Sequence, residues 1–397
     1  MFYVGIDIAK RAHEAVIMDD AGSVVQKAFS FANSCSGYNA LIERVRRITL
    51  IKSTIVFGME STSHYWLPIY TRLQKDGYRV HVINPIQSNA MRGLYIRKLK
   101  TDDRDSVIIA DVIRFGRHSE TRVPQDKQFA LREMCRNRFY LVDSASDLKR
   151  KATALIDQVF PEYSTLFSSI FLVSSVEFLL KYPTSEIIVR AHMATITSLL
   201  LRASNGHFGR AKALELKDDA KNTFGVPDAC GVYGELIRMF LVQIRFIQKQ
   251  VAELDAKIAV LTDELDTQIT TIAGVGDVLG AAIIAEIGDI SRFSSADKLA
   301  AFAGIDPSVK QSGDFLSSRN HMSKRGSPYL RRAIWMASVC AVQNDPMFRA
   351  YYDKKAAEGM KYMKIIGHCT KKMANVIFAV LRDNKPYVPV LNLPFSA

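Results

Sequence analysis

The chain has 397 residues, and its 48% hydrophobic content is enough to give cores to two or three domains, so a single globule is not expected. Lys and Arg exceed Asp and Glu by 53 to 40, for a formal charge of +13 and a pI near 9.4, a balance suited to a polyanion and above all to nucleic acid. Five cysteines without a CxxC pair exclude a disulfide framework and a zinc knuckle, and fit a reducing cytoplasm.

The opening MFYVGIDIAKR reads as a buried strand that soon meets Asp7, unlike a signal peptide. From 2 to about 118, short β-rich runs alternate with longer helical ones. FYVGIDIA, HEAVIMD and SVVQKAFSF are predicted strands, with a hairpin turn at DDAG (19–22). SGYNALIERVRRI is a predicted helix, STIVFGME a fourth strand, HYWLPIYTRLQKDG a helix ended by glycine and YRVHVINP a fifth strand, followed by a helix. This βββαβαβ order predicts an RNase H-like α/β domain with a mixed five-stranded sheet over 1–124.

Residues 125–266 read as an all-α, coiled-coil region. Its two long helices, ALREMCRNRFYLVDSASDLKRKATALIDQVF and ELIRMFLVQIRFIQKQVAELDAKIAVLTDEL, suit a dimer-forming arm or packing within their own domain. Between them FSSIFLVSSVEFLL (167–180) is too short for a bilayer and is expected to be a buried helix, so no membrane contact is implied. The polar, glycine-bearing stretch 202–226 is expected to be a loop or a small insertion. Residues 267–397 read as a mainly α domain: helix, glycine-rich hairpin and helix in TTIAGVGDVLGAAIIAEIGDISRF, then amphipathic helices around 328–356 and 361–382.

Carboxylates on this framework carry the chemistry. Asp7 interrupts an apolar strand, and Glu60 ends another. In an RNase H-like sheet the first and fourth strands are neighbours, so these two acids would meet at one sheet edge. Asp102 and Asp105 in KLKTDDRDSV, spaced i,i+3 at a helix start, would share a face. Taken singly, both are also what a helix N-terminus selects for capping and dipole reasons. Two such charges 4 Å apart repel by about 4 kcal/mol at an effective dielectric near 20, so four converging carboxylates make sense around a cation. All-oxygen ligation selects Mg²⁺ or Mn²⁺, the ions of phosphodiester chemistry.

The set VGIDIAK, FGMEST and KTDDRDS resembles the DEDD insertion-sequence recombinases, a transposase family that includes the pilin-gene invertase and has a RuvC-like N-terminal domain. The resemblance implies that Asp7, Glu60, Asp102 and Asp105 form a metal-binding catalytic tetrad. Downstream, LAAFAGIDPSVKQSGDF (299–315) and SKRGSPYLRRAIW (323–335) resemble the family's second block, whose serine in an SG pair is the nucleophile; Ser312 and Gly313 match it. A serine that attacks a DNA phosphate keeps the bond energy in a phosphoserine, so strand exchange needs no ATP. The resemblance extends through KPYVP near the end and is weakest in the middle. It implies an RNA-guided, site-specific transposase in a prokaryotic cytoplasm. Its partners would be donor and target DNA, a noncoding guide (bridge) RNA and further copies of the chain, as a dimer or tetramer.

Nucleic-acid contacts are expected in three places. AGVGDVLGAAIIAEIG resembles a helix-hairpin-helix whose turn, at Gly274 and Gly276, offers backbone N–H groups to a phosphate, although an ordinary αα turn has the same look. Lys324, Arg325, Arg331 and Arg332 form a basic cluster. Arg92, Arg97, Lys98 and Lys100 precede the aspartates, with Tyr95 available for stacking. The rival enzymatic reading is a RuvC-like nuclease or Holliday-junction resolvase using the carboxylates alone. An actin-like ATPase is disfavoured, because GIDI is followed by Ala9-Lys10-Arg11 in place of a glycine- and threonine-bearing phosphate loop. A third rival is a non-catalytic nucleic-acid binder on the same scaffold.

Overall fold

A computed structural model of the chain describes residues 1–61, 63–92, 102–116, 126–307, 311–312, 315–316 and 321–389, without the side chains of Ile86, Arg92, Asp102, Asp103, Asp126 and residues 311, 312, 315 and 316. The chain divides into two compact units, Met1–Val123 and Pro124–Ala397.

The first unit is a mixed five-stranded sheet with helices on both faces. Its elements are β1 (Phe2–Asp7), β2 (Ala12–Asp19), β3 (Val24–Ala32), α1 (Cys35–Arg46), β4 (Ile55–Glu60), α2 (Trp66–Lys75), β5 (Arg79–Ile83), α3 (Pro85–Arg92) and α4 (Asp102–Phe115). The strand order is β3-β2-β1-β4-β5, antiparallel through β3, β2 and β1 and parallel through β1, β4 and β5. Because side chains alternate along a strand, each strand divides its residues between two layers. Val4, Ile6, Phe57 and Met59 pack with Leu41 of α1 and Leu73 of α2. On the other face Val56 and Ile83 pack against Ile109 and Ile113 of α4. That helix lies very close to the sheet, since a Cβ on Gly5 would stand 2.0 Å from the Ser106 carbonyl oxygen and one on Gly58 2.8 Å from Ile113.

His13 of β2 is buried at 1% exposure on the α1 and α2 side, and its Nδ1 accepts the Ala9 N–H at 3.2 Å. Burial holds its pKa below the ordinary 6.5. The folded unit therefore keeps the ring neutral, whereas the unfolded chain takes up a proton as pH falls through 6.5. Stability is therefore unaffected well above pH 6.5 and falls as pH drops from there to the depressed folded value. We expect urea unfolding to show a steeper loss between pH 7.5 and 5.5 for the natural chain than for His13→Phe; equal losses would place the acid sensitivity elsewhere.

The second unit is helical: α5 (Asp126–Val159), α6 (Tyr163–Leu166), α7 (Val173–Lys181), α8 (Ser185–Arg190), α9 (Met193–Ala203), α10 (Arg210–Asn222), α11 (Val232–Asp263), α12 (Asp277–Ile287), α13 (Ala296–Ala303), the two-residue strands β6 (Gln311–Ser312) and β7 (Phe315–Leu316), then α14 (Pro328–Asn344), α15 (Pro346–Ala357) and α16 (Tyr362–Asp383). Helices α5 and α11 lie antiparallel. Arg138 pairs with Asp255 and Lys127 with Glu264, while Ile156 shares a core with Ile237 and Ile244. Among the described residues no helix is long and apolar enough to cross a membrane.

Four expectations are corrected here. Residues 202–226 are no simple loop, because Ala213, Leu216 and Ala220 give α10 one buried stripe beneath its charged face. Only the latter part of 167–180 is helical; Ser169 Oγ accepts the Phe171 N–H in a turn before α7 begins. A single 3₁₀ turn, Ile269–Thr271, stands before the glycine turn where a helix was expected. The predicted helix at 328–356 is broken at Asp345, whose side chain caps α15 through the Phe348 N–H, with Pro346 at its first position.

Candidate active site

Asp7 and Glu60 end adjacent parallel strands. The last β1–β4 register pair is Ile6 with Met59, so the two carboxylates stand one residue further along, on the face opposite Ile6 and Met59. Gly5 and Gly58 form the preceding pair on that same face, beneath α4. The helix runs antiparallel to β1: near its C-terminal end Arg114 reaches the Asp20 carbonyl, and Asp19 lies opposite Phe2 at the start of β1. The N-terminal turn of α4, with Asp102 and Asp105, is thereby directed toward the end of the sheet that carries Asp7 and Glu60. Asp105 is 7% exposed and Glu60 9%, so both are held in low-dielectric surroundings.

The donors are all oxygens and suit a hard dication in type. Among the described side chains, which leave out Asp102, no group of three or more His, Cys, Asp or Glu lies close enough to hold a metal ion. Glu14 is an acid that the sequence did not single out. It pairs with Asp7 across β1 and β2, and so lies on the same face. The cradle itself had a sequence signal, because VGID and FGME each place a glycine two residues before the acid, and period-two alternation puts both on one face.

In the second unit, Ser312 ends β6 opposite Phe315 of β7, at the last paired position of a hairpin; Gly313 and Asp314, between them, lie outside the described residues. The base of this segment is tightly built. Pro307 bridges Met322, the Ser323 N–H donates to the Asp306 carbonyl at 2.9 Å, and the Lys324 N–H donates to the Gly304 carbonyl at 3.0 Å. Ser327 caps α14 through the Leu330 N–H and donates its hydroxyl to Glu286 at 2.9 Å; Arg136 grips the same carboxylate at 2.6 and 3.0 Å. Burial pushes the thiols of Cys135 and Cys369 up to about 12 and about 11, so neither is a nucleophile near neutral pH.

The basic residues divide by occupation. Lys324 and Arg325 are exposed, with Lys324 in the left-handed region at φ 53°. Arg331 donates to the Ala303 carbonyl at 3.0 Å, and Arg332 grips Asp143 at 2.6 and 2.7 Å while lying over Phe139. Gly274 has φ 86° and abuts the α14 backbone, with a Cβ there 2.7 Å from the Ala337 carbonyl oxygen, whereas Gly276 faces open space. Arg92 lies on α3 with its side chain undescribed; Tyr95, Arg97, Lys98 and Lys100 lie outside the described residues.

Two family models match the chain. A transposase model covers residues 4–161, which include Asp7, Glu60, Asp102 and Asp105 and all of the sheet but the first two residues of β1, and a model of the transposase IS116/IS110/IS902 family covers residues 266–353, including Ser312. The insertion element IS116 uncharacterized 44.8 kDa protein of Streptomyces clavuligerus is 26% identical over 394 residues, covering 98% of this chain and 96% of that one. The insertion element IS900 42 kDa protein of Mycobacterium paratuberculosis is 25% identical over 404 residues (98% and 97%). The pilin gene-inverting protein of Moraxella bovis is 24% identical over 393 residues (97% and 97%). The protein is therefore an enzyme of the DNA transposase and recombinase class. Within that class, the chain belongs to the IS116/IS110/IS902 family of transposases.

Proposed function

We propose that the chain is a site-specific transposase, guided by a noncoding RNA, that exchanges strands of donor and target DNA through a phosphoserine on Ser312. Support comes above all from one arrangement: Asp7 and Glu60 end paired strands on the face where α4 presents Asp105. With Asp102 they form a four-carboxylate set that would hold Mg²⁺ or Mn²⁺. Such an ion, when bound, neutralises charge on a phosphate and on a departing oxygen. Ser312 Oγ bonds to phosphorus, the ester bond of the strand breaks, and the serine proton passes to the oxygen released; a hydroxyl of the incoming strand reverses these changes.

In this reading residues 1–124 are a RuvC-like domain, 125–266 a dimerising region and 267–397 the domain that brings the serine, with Gly276, Lys324 and Arg325 toward DNA or RNA phosphates. The guide RNA and assembly into a dimer or tetramer are part of the proposal, as is a serine supplied to the carboxylates of the same or another subunit. The test combines purified protein, its flanking RNA, donor and target DNA and Mg²⁺. A covalent protein–DNA adduct resistant to denaturant is expected, absent when EDTA replaces the ion or when Asp7→Asn replaces the natural chain. Strand exchange with no adduct at any stage would overturn the serine pathway.

A further inference from the structure

A cleft of about 450 Å³ opens in the first unit on the sheet face opposite the carboxylates, lined by His13, Phe31, Ser34, Cys35, Tyr38 and Arg72 among others. From its lining we infer that it receives one unpaired nucleotide, with the phosphate at Arg72 and the start of α1 and the base toward His13.

The donors are specific. Since Nδ1 of His13 accepts the Ala9 N–H, the proton of the neutral ring sits on Nε2, and among the described residues this buried donor meets no acceptor in good hydrogen-bond geometry, the Asn33 side chain interacting with the ring only weakly. A base carbonyl or ring nitrogen supplies the missing acceptor. Arg72 brings a guanidinium, half exposed and only loosely tied to Asp76 at 3.6 Å, while it lies over the Tyr38 ring. Ser34 caps α1, and no acidic residue occupies the first turn, so the positive end of the helix is left for an anion. Among the described residues that line the cleft none is a carboxylate, the nearby Asp76 accepting the Tyr38 hydroxyl at 2.6 Å, and Phe31, Tyr38, Pro68 and Ile69 form an apolar wall. A volume of this size holds a mononucleotide, at the small end of ligand pockets, which run from about 300 to 1,000 Å³.

Position favours a nucleotide within a strand. Asn33 ties the cleft to the β1–β2 loop: its side-chain amide donates to the Lys10 carbonyl at 3.3 Å and its backbone N–H to the Arg11 carbonyl at 2.9 Å. Lys10 and Arg11 are exposed on that loop and follow Asp7 by a few residues. A single strand crossing the carboxylate end of the sheet would meet these two cations and could turn one base over the edge into the cleft.

This inference rests on nucleic acid being the substrate, and its test uses no strand exchange, so a negative result leaves the transposase reading standing. Cys35 lines the cleft, while Cys230 and Cys340, also exposed, serve as internal controls. Alkylation of the full chain by iodoacetamide is followed by mass spectrometry with thymidine 5′-monophosphate, oligothymidylate or oligouridylate present. At ten times its dissociation constant a bound ligand should slow Cys35 by about tenfold and leave the two controls unchanged. Protection by the monophosphate marks a site for a free nucleotide as well; protection by an oligonucleotide alone marks one for a strand. Arg72→Ala, at an exposed position whose loss leaves the core intact, should abolish protection. Cys35 reacting at one rate with and without all three probes, or equal protection in Arg72→Ala, would overturn the assignment.

Discussion

The Ser312→Ala chain is expected to bind its nucleic acids normally and to form no covalent adduct, with strand exchange lowered by roughly 10⁴-fold or more, the scale on which enzymes lose rate when a nucleophile is deleted. The substitution removes a hydroxyl and little else. Ser312 is joined to Phe315 through backbone pairing, which alanine preserves. Melting temperature should therefore stay near that of the natural chain, so a lost activity reports chemistry and not folding. DNA cleavage that continued in Ser312→Ala would assign the cutting to the carboxylates alone, as in a junction resolvase.

Gly5→Ala is expected to be the most damaging single methyl in the first unit. The added carbon would stand 2.0 Å from the Ser106 carbonyl oxygen and 2.5 Å from the Ala110 nitrogen. Both are backbone atoms of α4, so no rotamer change relieves the overlap and the helix must lift. Overpacking a core costs about 1–3 kcal/mol where side chains can yield, and a rigid backbone puts this site at about 3 kcal/mol or above. In the proposed mechanism Asp105 acts with Asp7 and Glu60, so lifting α4 should also lower activity even where the unit remains folded. Gly77→Ala is the control, because nothing lies within 4 Å of its Cβ position and only its φ of 79° resists a side chain. A Gly5→Ala melting curve that overlays the natural one would show that α4 does not press on the sheet.

The strands were legible because period-two apolar runs separated by glycine and polar turns have few other readings, and every predicted strand of the sheet is found within a few residues of its expected ends. The acids were visible one by one. What sequence alone withheld was register: Glu14 reads as an ordinary polar position of β2 until pairing sets it opposite Asp7. His13 was hidden for the same reason, since a histidine without metal-ligand spacing looks like a surface residue until the strand turns it inward. The break at Asp345–Pro346 was missed because helical periodicity resumes at once in α15, although aspartate before proline is a stop and start signal in its own right. Segment 210–222 misled through composition, its three buried residues being outnumbered by charged ones.

The pairing of α5 with α11 has a mechanical consequence. Leu131, Cys135 and Phe139 belong to the core built around α12, α14 and α16, while Ile156 and Val159, further along the same helix, belong to the core around α7 to α10. At 1.5 Å per residue each of these rods is roughly 50 Å long, and both clusters are threaded on the pair. Neither cluster can melt without fraying a helix that the other needs, so amide exchange should slow together across both, as one cooperative block, in place of two with separate lifetimes.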